Sequence, residues 1–147
     1  MRLYVLSRNE DLYSTRRLVE EASAKGWEVK VIDYLKCTIE IMKNELVVNY
    51  EGKVLPTPDA IIPRIGASRT FYGAAMVRHF EMIDVFSTTG NLALTRSRDK
   101  LRSLQVLSKN GVDMPRTVFA SNKSNAKDVI ALSGGAPLVL KILEGTQ

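Results

Sequence analysis

Three groups of residues in this chain have the types and spacing to do chemistry, and each points at an anion. The first is Lys141, set in Pro137-Leu-Val-Leu-Lys-Ile-Leu143. The run from Leu138 to Leu143 reads as an apolar strand. Period-two alternation puts Val139, Lys141 and Leu143 on one face, and Leu138, Leu140 and Ile142 on the other. An ammonium among apolar neighbours is costly unless it reaches water or meets an opposite charge. Two readings follow: a lysine snorkelling at a sheet edge, or a lysine held over a cleft as a point charge for a phosphate. Glu144-Gly145-Thr146-Gln147 comes next and reads as the start of a glycine-containing loop, a usual partner of phosphate sites. Gly145 by itself is a weak signal, and neither a Walker pattern nor a dinucleotide GxGxxG is present.

The second group is Arg96-Ser-Arg98-Asp-Lys100-Leu-Arg102, four basic residues in a seven-residue stretch. It falls where a helix from about Arg98 to Asn110 is predicted to begin. Cations are mildly unfavourable at that positive end, and a bound anion would relieve them. The alternative is a solvated cationic helix end. The third group is Arg64, in Pro63-Arg-Ile-Gly66. It follows a predicted parallel strand at the end where open α/β sheets gather ligands. Arg64 can pair with a carboxylate or phosphate, or brace a surface loop.

Other chemistries are excluded by composition. The 147 residues contain one Cys and one His, Cys37 and His79, so a disulfide framework, a Cys/His metal site and a Ser/His/Asp or Cys/His nucleophilic arrangement are not available. No close Asp/Glu cluster has the look of a magnesium site. No apolar run approaches the roughly 20 residues that span a bilayer, so no membrane partner is expected. The net charge of +5, from 21 Lys+Arg against 16 Asp+Glu, favours anionic or phosphorylated partners. Nucleic acid fits less well, because aromatics do not interleave with the basic patch.

The elements that must position these groups read as α/β. Arg2 to Leu6 is a strand, Ser14 to Lys25 a helix stopped by Gly26, and Trp27 to Asp33 a second strand, together a βαβ unit. Ile39 to Met42, Leu46 to Tyr50 and Lys53 to Leu55 are β-prone, with Glu51-Gly52 as a hairpin turn. Asp59 to Pro63 is a short buried strand. Thr70 is the expected cap of a helix from Phe71 to about Val85, with Tyr72, Met76, Phe80 and Ile83 as its core stripe; His79 reads as a core residue too. Thr88 to Asn91 is a turn before Leu92-Ala-Leu94. In the second half, Leu101, Leu104, Val106 and Leu107 point inward from the basic helix, which Gly111 ends. Arg116 to Ala120 reads as a strand, and Ser124 as the cap of a helix through Leu132 that stops at Gly134-Gly135. The domain boundary is placed near Thr95, giving domains 1–95 and 96–147.

Several blocks carry a resemblance: Asp59-Ala-Ile-Ile-Pro-Arg-Ile-Gly66, Thr70-Phe-Tyr-Gly73, Arg96 to Leu104, and Gly134-Gly-Ala-Pro-Leu-Val-Leu-Lys141-Ile-Leu-Glu-Gly-Thr-Gln147. In these blocks, and over essentially its whole length, the sequence resembles the N-terminal part of RimK-type ATP-grasp ligases. These enzymes add glutamate to the C-terminus of the sixth small-subunit ribosomal protein. The resemblance implies a Rossmann-like pre-ATP-grasp domain up to Thr95, then the truncated start of an ATP-grasp domain. It implies that Lys100 and Lys141 contact nucleotide phosphates, and that Gly145, Thr146 and Gln147 begin the loop that closes over them. Arg64 would lie near the acceptor carboxylate. ATP and Mg²⁺ are the implied cofactors of the parent enzyme; glutamate and a ribosomal protein C-terminus are its substrates, and the cytoplasm is its compartment. Metal ligands are not expected within these residues, so the resemblance implies an N-terminal piece that is catalytically incompetent alone. A non-catalytic module that assembles homo-oligomers, and a basic RNA-binding protein, are the alternatives.

Overall fold

The computed structural model describes residues 1–121 and 126–141. The chain divides into two compact units, Met1–Thr95 and Arg96–Gln147.

The first unit is built on a parallel sheet. Its strands are β1 (Arg2–Leu6), β2 (Glu28–Ile32), β6 (Ala60–Pro63) and β7 (Phe86–Ser87), in the spatial order β2-β1-β6-β7. All three pairings are parallel, with Leu3 opposite Val29 on one side and Ala60 on the other. Helix α1 (Tyr13–Ala24) links β1 to β2, and α2 (Thr70–Met82) links β6 to β7. Helix α1 ends where Gly26, at φ 76°, takes a left-handed conformation that allows Gly26 N–H and Trp27 N–H to close onto the Ser23 and Ala22 carbonyls.

Alternation along β1 separates two cores. Leu3 packs with Ala22 of α1 and Ala60, while Tyr4 and Leu6 join Ile61, Met76, Val77 and Phe80 on the α2 side. The two helices therefore cover opposite faces of the sheet, as right-handed crossovers running in opposite directions from the β1–β6 pair require. Burying a side chain such as Met76 or Phe80 stabilises by about 1.5–3 kcal/mol.

A separate antiparallel sheet, β3 (Cys37–Met42), β4 (Glu45–Tyr50) and β5 (Lys53–Val54), lies against the α2 side. Val48, Cys37 and Leu55 enter the α2 core, and the Tyr72 hydroxyl donates to the Cys37 carbonyl at 2.6 Å. The hairpin thus decorates the parallel sheet rather than widening it. Burial pushes the Cys37 thiol up to about 12, so it stays protonated and inert as a nucleophile.

His79 sits in the same core, 4% exposed, with its Nε2 unpartnered among the described residues. Burial lowers its pKa, and a hydrogen bond to the Val47 backbone opposes that shift. The unfolded chain therefore binds a proton near the ordinary value of 6.5 while the folded chain resists it. Stability from this residue is fully present above that pH and is lost as pH falls through it toward the lower folded value. The urea midpoint is expected to drop between pH 7.5 and 5.5. The drop should be smaller in His79→Asn, which cannot titrate. Equal drops in both proteins would assign the acid sensitivity to the carboxylates instead.

Several expectations change. Thr70 does not cap α2: its hydroxyl donates to the Ala67 carbonyl at 2.9 Å, and Arg69 occupies the capping position. The helix ends at Met82, before Val85, and the two-residue β7 follows. Leu92-Ala-Leu94 lies inside α3 (Asn91–Arg98), whose first N–H, that of Asn91, is met by Glu81 Oε1 at 2.9 Å. A carboxylate at this positive end supplies the start signal that the local sequence lacks.

The second unit holds α4 (Lys100–Lys109) and α5 (Ala126–Leu132). The helix expected from about Arg98 to Asn110 is α4, which starts slightly later because Asp99 leaves the helical region and caps it by accepting Arg102 N–H at 2.9 Å. Leu101 and Leu104 are half-buried as expected, but Val106 and Leu107 are exposed. Helix α4 ends at Gly111 and α5 at Gly134-Gly135, as the glycines indicate. Ser124 lies outside the described residues. Neither Arg116–Ala120 nor residues 138–141 form a strand; Ile142 and Leu143 lie outside the described residues. A strand is defined by its pairing partner, and alternation in one segment does not supply one.

Candidate functional site

The carboxyl ends of β1 and β6 form the topological switch point of the parallel sheet. From β1 the chain crosses to β2 through α1, and from β6 it crosses the other way to β7 through α2. Such a point leaves a crevice at the strand ends because the two connections diverge. Arg64 stands in this position. Its N–H donates to the Leu6 carbonyl at 2.9 Å, extending the β1–β6 pairing by one step. Its guanidinium Nη2 donates to Ser14 Oγ, in the first turn of α1, at 2.6 Å. The side chain is exposed, and among the described residues no carboxylate lies within ion-pair distance of it. Its fork therefore retains donors for a carboxylate or phosphate.

The mounting of Arg64 is firm. Ile65, the next residue, is buried and packs so closely on α2 that a Cβ placed on Gly73 would lie 2.3 Å from Ile65 Cγ2. Across the crevice, Ser7 Oγ lies 3.3 Å from Thr15 Oγ1 and donates to the Asn9 carbonyl at 2.9 Å, which ties the β1–α1 connection to α1. Ser14 and Gly73 become neighbours of the Arg64 connection in space, a relation that their places in the sequence do not indicate. Their signal is spatial: one residue opens α1 and the other lies in the first turn of the helix on the far face.

The basic stretch is redistributed by the break at Asp99. Arg96 and Arg98 fall in the last turn of α3, where cations are favourable, and Lys100 and Arg102 open α4, where they are not. Lys100 is half-buried at the first position of α4. Lys141 is exposed, beyond the glycine pair that ends α5. Its neighbours Val139 and Leu140 are 82% and 93% exposed. The desolvation argument for an anion at Lys141 thus does not apply here, and its case rests on charge and resemblance. Gly145, Thr146 and Gln147 lie outside the described residues. Arg64 belongs to the first unit, and Lys100 and Lys141 to the second. The net charge follows the same division. The first unit has twelve Lys+Arg against twelve Asp+Glu and the second has nine against four, so the second carries the whole +5. Among the described residues, no group of three His, Cys, Asp or Glu side chains is gathered to hold a metal ion, and no helix is long and apolar enough to cross a membrane.

Comparison with known proteins agrees with this architecture. Residues 1–94 match the RimK PreATP-grasp domain and residues 97–147 the RimK-like ATP-grasp domain. A probable alpha-L-glutamate ligase 1 of Pseudoalteromonas atlantica is 57% identical over all 147 residues, and a probable alpha-L-glutamate ligase of Shewanella loihica is 56% identical over the same span. In each case the match takes in 49% of the relative, so the chain spans about half the length of the curated relatives it matches. Among solved structures, the ATP-grasp ligase PsnB, complexed with a phosphomimetic variant of its minimal precursor, Mg and ADP, superposes with a TM-score of 0.64. The superposition covers 92% of this chain and 55% of PsnB at 17% identity, a likeness of fold. With both units matched in order, this chain belongs to the RimK family of ATP-grasp proteins.

Proposed function

We propose that these residues serve an ATP-dependent carboxylate–amine ligase that adds glutamate to the C-terminus of an acceptor protein. The observation that carries this reading is the 57% identity over the whole chain to a relative named as a probable alpha-L-glutamate ligase. In this reading Lys100 and Lys141 act as point charges for nucleotide phosphates, Gly145, Thr146 and Gln147 belong to the loop beside them, and Arg64 holds an acceptor carboxylate. The concentration of positive charge in the second unit supports the first of these roles.

The reaction proceeds in two steps. An acceptor carboxylate oxygen attacks the γ-phosphorus of ATP, the bond to the bridging oxygen breaks, and ADP leaves with that electron pair. The glutamate amine then attacks the acyl phosphate carbon and loses a proton, and phosphate departs as the peptide bond forms. Charge accumulates on phosphate oxygens in the first step, and cationic side chains placed there in advance lower its barrier. Magnesium would supply further neutralisation of the phosphates, but its ligands are not assigned to the described residues. Because the chain spans about half the length of these relatives, the 147 residues alone are expected to show no ligation. The small-subunit ribosomal protein is the acceptor proposed, and the cytoplasm the compartment.

The test is ligation by a protein in which this sequence continues to the relatives' full length. ADP release should require both glutamate and an acceptor with a free C-terminus, and the acceptor should gain the mass of glutamate residues. ADP release without incorporation would overturn the reading. The exposed Val139 and Leu140 favour a second role, in assembly of a homo-oligomer. Light scattering at several concentrations checks it, and a strict monomer counts against it.

A further inference from the structure

The rim around Arg64 carries more than a cation. Helix α1 opens with Leu12 at its cap position and Tyr13 as its first residue, both exposed, with Tyr13 at 73%. Helix α2 presents Phe71 in its first turn at 90% exposure. In a parallel sheet both helices begin at the carboxyl ends of the strands that precede them. Tyr13 and Phe71 therefore stand at the same edge of the sheet as Arg64, on the α1 and α2 sides. Ser14, which receives the Arg64 guanidinium, is the residue after Tyr13. Neither aromatic contributes to a core cluster of the first unit. Large rings left this exposed at the same sheet edge as an arginine that has no carboxylate partner among the described residues have the composition of an interface hot spot, in which aromatics and Arg predominate.

We propose that this rim of the first unit is a peptide-docking site, and that its occupant is a segment combining a carboxylate with neighbouring apolar side chains. Arg64 takes the carboxylate through the donors that Ser14 leaves over, and Tyr13 and Phe71 take the apolar groups on either side. The mixed chemistry is set by the site. A purely acidic segment would leave the two rings in water, and a purely apolar one would leave the guanidinium unmatched. The inference rests on the ligase reading in one respect: the segment would belong to the acceptor.

The experiment is fluorescence anisotropy with the 147-residue chain and three fluorescein-labelled hexapeptides. The first alternates glutamate and leucine with a free C-terminus, the second is all glutamate, and the third is the first with glutamine for glutamate and an amidated C-terminus. The alternating peptide is expected to bind about tenfold more tightly than either control. Arg64→Gln should weaken it by about tenfold, and Phe71→Ala and Tyr13→Ala by about three- to tenfold each. Circular dichroism checks that each variant keeps its fold, which exposed positions should allow. Equal binding of the all-glutamate peptide, or no effect of Phe71→Ala and Tyr13→Ala, overturns the proposal in favour of simple charge attraction. The ligase reading can fail separately. Peptide binding as described by a protein whose full-length form ligates no glutamate supports the docking site and removes its assignment to an acceptor.

Discussion

Replacing Gly73 with alanine is expected to destabilise the first unit by about 1–3 kcal/mol. The added Cβ would lie 2.3 Å from Ile65 Cγ2, 2.9 Å from Cδ1 and 3.0 Å from Cγ1. All three atoms belong to a buried, β-branched side chain with little torsional freedom, so the clash cannot be relieved by swinging one end of a flexible chain. Alanine's better helix propensity works the other way by up to about 1 kcal/mol, which places the net loss toward the lower part of the range. The urea midpoint should fall with the slope unchanged. Ile65→Ala removes all three opposing atoms, so the double variant should be more stable than the sum of the single losses predicts. Gly66 is a control: it lies at φ −72°, and a Cβ there meets nothing within 4 Å, so Gly66→Ala should be nearly neutral. A wild-type midpoint for Gly73→Ala would mean that α2 and the Arg64 connection are not locked together.

Loss of either lysine in the full-length protein is expected to weaken ATP binding by about ten- to a hundredfold, corresponding to about 1.5–3 kcal/mol for a charge-assisted hydrogen bond. Lys100→Ala and Lys141→Ala are the variants, and calorimetric titration with ATP and magnesium is the measurement. Lys141 is exposed in the described chain, so its effect should sit at the lower end and shrink as salt is raised. Lys100 is half-buried at the first position of α4, and its effect should resist salt better. Arginine at either position keeps the charge but not the compact ammonium, and should recover part of the affinity. Lys127, exposed on α5 in the same unit, is the control, because Lys127→Ala removes the same charge from elsewhere. If all three alanine variants lost affinity equally, net charge alone would account for binding, and the assigned phosphate roles would fall.

Local signals in the sequence were sufficient for β1, α1 and β2 of the first unit, but not for β7 or the start of α3. Alternation in β1, the apolar face of α1 and the left-handed stop at Gly26 are each encoded within a few residues, and the βαβ unit follows from them. The same holds for the hairpin and for the buried stripe of Met76 and Phe80. Where local and non-local effects compete, the sequence was less informative. The basic stretch predicts a helix from about Arg98, whereas the helix begins after Asp99, whose carboxylate caps it. The segment 138–141 alternates like a strand but is unpaired and exposed, since pairing depends on a partner that the segment does not contain.

By itself, then, the sequence determined the α/β class and the family, because residue types and short-range periodicity suffice for those, and it singled out Lys100, Lys141 and Arg64 as candidates on charge and position in the chain. Tertiary structure alone decided what surrounds Arg64. Its bond to Ser14, fifty positions earlier, the lock of Ile65 on Gly73, and the stationing of Tyr13 and Phe71 at one rim arise from strand order. The reason is geometric: parallel pairing of β1 with β6 brings two distant strand ends side by side, and the diverging helices then fix which residues border the crevice.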